Sequence, residues 1–277
     1  MINIVTNVSI YDGIRIKHTI PNWVRIFGSK IESIRIIVDE KPVEGRIKSL
    51  HSNNKIIYSV DESICDLLNK YPFINVEKLN YAEAEEISSV FFKKGNPIRC
   101  QFGTPIFAFL KGIHSIDEGI ILRTDCDLLY YDEGWVEKSI HLLTDNKYDI
   151  IEPPIPGEID YGFSSRCFLV NKKKFMEKMP IKAYKLDPLR RIDRILNKRS
   201  VYLALEQMFQ KEIDRNYLLC KKMENNLGFS IHFNHPNDFR INDIEDVIDR
   251  IEKDSLPDKQ KNNWNFNQEF WKDINGN

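Results

Sequence analysis

The segment Ile120-Ile121-Leu122-Arg123-Thr124-Asp125-Cys126-Asp127 constrains this chain more than any other, because an apolar run there ends in two aspartates one residue apart. Ile and Leu in so short a run suit a strand covered on both faces, and Gly119 marks where it starts. Two carboxylates at i and i+2 just past a strand end reach one divalent cation when the backbone turns there. Hard ions such as Mg²⁺ and Mn²⁺ favour oxygen-rich sites of this kind, and a diphosphate is the usual partner whose charge they neutralise. The expectation is a metal-dependent enzyme acting on an activated, phosphate-containing donor.

The rest of the chain alternates strand and helix signals. Apolar runs at 2–8, 34–38, 56–60, 148–151 and 163–170 read as strands, and Asp39 ends the second of them. Helical spacing marks a segment opening at Asp61 and ended by Tyr71-Pro72, then 81–93, 104–114, 133–143, 201–213 and 241–251. Pro105 suits a first helical turn. Residues 12–21, which include Pro21, read as irregular, with a short helix only near 24–27. This order predicts a mostly parallel α/β sheet flanked by helices. Such sheets bind ligands outside the C-terminal ends of their strands, where Asp39, Asp125 and Asp127 all fall.

A chain of 277 residues supports one substantial core, and a single domain over 1–257 is expected. Lys plus Arg total 40 against 41 Asp plus Glu, a net charge of -1, which argues against a general nucleic-acid binder. Cysteines at 65, 100, 126, 167 and 220 form no CxxC pair, so reduced thiols are expected rather than a zinc knot or a disulfide framework. The first ten residues lack a basic start and a long apolar stretch, and no apolar run approaches the roughly 20 residues that cross a bilayer. A cytoplasmic location is expected, with peripheral membrane contact left open. Residues 180–200 carry Arg190, Arg191, Arg194, Lys198 and Arg199, either as a solvated helix face or as a lid or phosphate-contacting segment. Residues 258–277 are polar but hold Trp264, Phe266, Phe270 and Trp271, so they form either a frayed tail or a packed strap.

The Asp125-Cys126-Asp127 turn resembles the DXD motif of glycosyltransferases with the GT-A fold, especially family 2-like enzymes. The likeness covers roughly residues 1–235 and is strongest over 104–143. It implies a Rossmann-like nucleotide-binding half at about 1–130, an acceptor half at about 131–257, and Mn²⁺ or Mg²⁺ held against the diphosphate of a nucleotide sugar. Carried over position by position, Thr6 and Asp39 would meet the base or ribose. Asp127 would ligate the metal directly, Asp125 would reach the ribose or the metal, and His232 would be the third ligand, with His235 as the alternative. Glu206, at the start of a packed helix, would be the catalytic base of an inverting transfer, with Asp187 and Glu158 in reserve. Three features depart from the family pattern. Asp39-Glu40-Lys41-Pro42 replaces the common Asp-Asp or Asp-Gly-Ser sequence, and Gln101-Phe102-Gly103-Thr104-Pro105 stands where an Arg-Asn-x-Gly helix start is familiar. Arg123 either contacts a donor phosphate or carboxylate, or pairs with a neighbouring acid.

Other classes fit less well. A sugar-phosphate nucleotidyltransferase would grip a triphosphate with a Gly- and Lys/Arg-rich loop after its first strand, and Thr6-Asn7-Val8-Ser9-Ile10 is no such loop. An aspartyl-phosphate hydrolase needs its paired acids after the first strand, not at position 125. A catalytically inactive binding protein would have no need of Asp125, Asp127 and His232 together. The donor is expected to be a nucleotide sugar, UDP before GDP or dTDP. The acceptor is a glycan or small molecule on which Tyr161, Phe163 or Tyr184 could stack.

Overall fold

The computed structural model describes residues 1–41, 59–145, 147–153, 162–223, 230–233, 241–267 and 269–272. In chain order its strands are β1 (Ile2–Ser9), β2 (Ile31–Asp39), β3 (Ile74–Lys78), β4 (Phe92–Lys93), β5 (Ile120–Thr124), β6 (Leu128–Tyr130), β7 (Ile150–Glu152), β8 (Cys167–Asn171), β9 (Ile181–Lys182), β10 (Cys220–Lys222) and β11 (Ser230–His232). The helices are α1 (Gly13–Phe27), α2 (Val60–Lys70), α3 (Ala84–Phe91), α4 (Ile106–His114), α5 (Gly134–Thr144), α6 (Lys172–Glu177), α7 (Pro188–Leu196), α8 (Leu205–Asp214), α9 (Ile241–Glu252), α10 (Asp258–Lys261) and α11 (Glu269–Lys272). No helix among the described residues is long and apolar enough to cross a membrane.

Seven strands form one sheet in the order β10-β7-β8-β5-β1-β2-β3. The sheet is mixed: β8 runs antiparallel to both of its neighbours, and every other pairing is parallel. Its two faces bury separate apolar clusters, as a helix-covered sheet must. One face packs Trp23, Phe27, Ile64 and Trp135 from α1, α2 and α5. The other packs Phe91, Phe107 and Phe209 from α3, α4 and α8. A two-stranded antiparallel ladder, β6 with β11, stands beside the main sheet and is covered by Ile244 and Val247 of α9.

Several elements differ from the sequence reading. Residues 13–27 form one helix despite Pro21, because Ile16, Ile20, Trp23 and Phe27 recur at helical spacing and are at most 1% exposed. That buried stripe outweighs the single backbone bond Pro21 removes. Val60 begins α2 behind the Ser59 cap, and the remainder of the strand expected at 56–60 lies outside the described residues. The 81–93 segment divides into a 3₁₀ turn, α3 and the short β4. Pro105 caps α4 rather than entering its first turn.

Candidate functional site

The paired aspartates lie in the turn between β5 and β6, and α1 fixes that turn by its side chains. Thr19 Oγ1 donates to Cys126 O (2.9 Å), Trp23 Nε1 to Leu128 O (2.7 Å) and Asn22 Nδ2 to Tyr130 O (2.9 Å). All three donors are buried, so each bond exists to satisfy a group that water cannot reach. The helix read as irregular from sequence is thus the element that holds the acidic turn.

Antiparallel pairing of β11 with β6 sets His232 opposite Leu128, next to Asp127. His232 Nε2 is 3.4 Å from Asp127 Oδ2, and Phe233 N donates to Asp127 O (3.2 Å). The C-terminal segment completes this corner. Trp264 is fully buried, stacks on the His232 ring at 4.6 Å and 14°, and donates from Nε1 to Ser230 Oγ (2.8 Å). His232 N donates to Trp264 O and Phe266 N to His232 O, so residues 263–267 run as a strap along β11. His232 Nδ1 lies 3.4 Å from Asn265 Oδ1. As a donor, Nε2 favours the ionised Asp127 carboxylate; with the ring proton on Nδ1 instead, facing Asn265 Oδ1, Nε2 would be open to a cation.

The two aspartates differ. Asp127 Oδ1 is buried and has no hydrogen-bond partner. Burial pushes this carboxyl up, but His232, Arg15 and Arg166 outweigh burial and hold it at about 2. Asp125 is claimed by Arg123, whose NH1 bonds Oδ1, and its backbone N donates to Arg166 O (2.8 Å). Burial raises the Asp125 carboxyl, with the Asp127 charge adding and Arg123 opposing. Arg123 therefore pairs with a neighbouring acid, one of its two expected roles. Its guanidinium also lies 5.1 Å above the Phe109 ring, and its Nε is buried without a partner.

A cleft of about 600 Å³ opens beside this turn, lined among others by Asn7, Arg123, Asp125, Ser165, Arg166 and Glu206. Glu206, in the first turn of α8, accepts from Ser165 Oγ. The structure thus gathers Arg123, Asp125 and Glu206 around one cleft, with Asp127 and His232 adjoining through Asp125 and Arg166.

The other expected residues lie elsewhere. Thr6 is inside β1, which runs on to Ser9; it is fully buried and its Oγ1 has no partner. Asp39 is buried at the end of β2, where it accepts from Tyr81 Oη (3.0 Å) and Lys41 N (3.0 Å) and faces Arg99 at 3.7 Å. Asp187 is exposed and caps α7 by accepting from Arg190 N (3.0 Å), so its carboxylate serves the helix rather than the cleft. Glu158, His235 and Tyr161 lie outside the described residues. Of the three expected metal ligands, Asp127 and His232 face each other at 3.4 Å, while Asp125 Oδ1 is bonded to Arg123. Among the described residues, no three His, Cys, Asp or Glu side chains converge as a ligand set.

Sequence reasoning missed Ser165, Arg166 and Asn7. Arg166 reaches the site because β8 runs antiparallel to β5, placing Cys167 opposite Thr124. Strand direction leaves no mark in local sequence, so nothing near Arg166 announced it. Asn7 had a signal, a polar residue near the end of an apolar strand. Its amide accepts from Phe109 N (3.0 Å) and donates to Ala108 O (3.3 Å) in α4.

No protein-family model and none of the curated proteins matches the chain. Solved structures resemble it at low identity. TarS of S. aureus matches with a TM-score of 0.50 and 10% identity, covering 94% of this chain and 41% of that one. The galactosyltransferase LgtC, solved with donor and acceptor sugar analogs, matches at 0.45 and 13% identity, over 94% of this chain and 83% of that one. The 4-diphosphocytidyl-2C-methyl-D-erythritol synthase of Anaerococcus prevotii matches at 0.47 and 12%, over 90% and 96%. The likeness is one of fold, a mixed sheet flanked by helices, and it singles out no one family.

Proposed function

We propose that this chain transfers a sugar from a nucleotide-diphosphate donor, UDP by preference, to an acceptor hydroxyl, with Mn²⁺ or Mg²⁺ held at Asp127 and His232. The observation that carries this reading is the buried Asp127 Oδ1, which lacks any partner while Oδ2 faces His232 Nε2 at 3.4 Å. A buried carboxylate oxygen left unsatisfied is costly, and a cation held by both Asp127 oxygens would satisfy it, with His232 carrying its proton on Nδ1 so that Nε2 joins as a ligand. Two ligands at 3.4 Å are near the ~3 Å edge spanned by adjacent ligands of an octahedral ion with bonds of about 2.1 Å. Such ions are commonly held by one or two protein groups and complete their shell with water and substrate phosphate, so a third protein ligand is not required.

When bound, the cation would neutralise charge as it builds on the leaving diphosphate. Arg123 and Arg166 line the cleft and offer guanidinium donors to phosphate oxygens. Asp125, oriented by Arg123, would accept from a ribose hydroxyl. Glu206, steadied by Ser165, would take the acceptor hydroxyl's proton as the new bond forms, the role of a base in an inverting transfer. The divergent GT-A, family 2-like reading and a cytoplasmic location belong to the same proposal.

Calorimetric titration with UDP, GDP and dTDP, each with and without Mn²⁺, tests it. Metal-dependent binding of one diphosphate, lost in Asp127→Ala, is expected. Absence of binding to all three by folded protein, or unchanged binding by Asp127→Ala, would overturn the assignment.

A further inference from the structure

Helix α7 has its amphipathic faces reversed. Leu189, Ile192, Ile195 and Leu196 are 82%, 58%, 64% and 77% exposed, and no residue of the helix is buried. At 3.6 residues per turn these four fall on one arc. Two of its three arginines turn inward instead: Arg191 Nε donates to Leu186 O and Arg194 NH1 to Gln101 O, while Arg190 stays exposed. A helix meant to face water does the opposite. This one is also firmly started, with Asp187 as its cap and Pro188 in its first turn.

Next to α7 is a hollow of about 590 Å³ lined by Lys93, Lys94, Lys182, Lys185, Arg191 and Tyr184, with no acid in its wall. The four lysines make no ion pair among the described residues. Residues 185–199 carry six basic side chains against two acidic ones, in a chain whose net charge is -1. The aliphatic arc and the basic hollow meet at Arg191.

The geometry points to α7 and the basic hollow as a docking surface for a bilayer rich in anionic phospholipid. A short helix with an exposed aliphatic arc flanked by basic residues is the form that lies in a membrane interface, apolar side in the acyl boundary and cations among the phosphates. A second copy of this chain is the weaker occupant, because a two-fold contact would set the same basic surfaces near each other. A consequence concerns the cleft: Phe102 and Leu189 line a further hollow with Gln207, and Phe102 and Gln207 also line the cleft, whose mouth would then open at the membrane surface.

Co-sedimentation of the full chain with vesicles tests the assignment, using phosphatidylcholine alone and phosphatidylcholine with about one third phosphatidylglycerol, the basic cluster being worth about a factor of five per cation at such a surface. Binding at least tenfold tighter to the anionic vesicles is expected, weakening as salt rises. Ile192→Glu with Ile195→Glu should abolish it, and Lys93→Gln with Lys182→Gln should weaken it by about 25-fold. All four positions are exposed, so circular dichroism should be unchanged. Failure to bind anionic vesicles, equal binding to both vesicle types, or full binding by the Ile192/Ile195 variant would overturn the proposal. So would a dimer in solution that the same variant splits while vesicles are ignored. UDP and Mn²⁺ titrations of these variants should match the parent, which separates this result from the fate of the catalytic assignment.

Discussion

The Asp127→Asn substitution keeps the side-chain shape and removes its charge, so it isolates what that charge does at the β5–β6 turn. In the metal-free protein the carboxyl is held at about 2, against 3.8 for an unperturbed aspartate, by His232, Arg15 and Arg166 acting against burial. At about 1.4 kcal/mol per pKa unit, the ionised form contributes about 2 kcal/mol that an amide cannot supply. A depressed carboxyl contributes stability above its unfolded value and loses it as pH falls through the folded one. The parent should therefore exceed Asp127→Asn by about 2 kcal/mol at pH 7 and equally at pH 5, with the gap narrowing only below about pH 4. Mn²⁺ at about a hundred times its Kd should add a further ~2.7 kcal/mol to the parent alone. Urea unfolding at pH 7 and pH 5, in EDTA and in Mn²⁺, measures both quantities. A variant as stable as the parent in EDTA would refute the electrostatic reasoning, and an equal Mn²⁺ gain in both proteins would refute the metal assignment.

Three further outcomes are expected. Glu206→Gln should lower sugar transfer by about 10²–10⁴-fold while leaving diphosphate affinity unchanged, read by steady-state kinetics beside calorimetry; weakened diphosphate binding would make it a structural residue. Lys172 donates to Ile113 O (2.7 Å) and His114 O (3.3 Å) at the end of α4, and burial pulls its ammonium down to about 8, with Asp117 opposing. Its charged form is the strained one when folded, so the parent should gain about 3 kcal/mol relative to Lys172→Met as pH rises from 8 to 10.5, and parallel pH profiles of the two proteins would sink that account. A Cβ on Gly112 would overlap Val5 Cγ1, so Gly112→Ala should cost about 1–3 kcal/mol in urea unfolding and push α4 away from Asn7; an unchanged midpoint would show that the helix moves freely.

Much of the architecture could be read from local pattern. The 120–124 run is β5, fully buried as its composition requires, and the alternation of strand and helix signals gave the layered α/β plan. Residues 258–277 read from sequence as either a tail or a strap; residues 263–267 run along β11, with Trp264 stacked on His232. Local rules fail where tertiary burial outweighs them, as at Pro21, whose helix is held by the side chains it inserts against the acidic turn.

Residue type and short spacing single out candidates for chemistry: paired acids at a strand end, a later histidine, and an acid in the first turn of α8. Which of them meet depends on how distant strands pair. The β6–β11 pairing joins residues about a hundred positions apart to set His232 against Asp127. The direction of β8 carries Arg166 to Asp125, and Arg123 bonds the Asp125 carboxylate. Strand direction, long-range register and the partner an ion selects depend on which distant surfaces bury each other, and no local window of sequence contains that information.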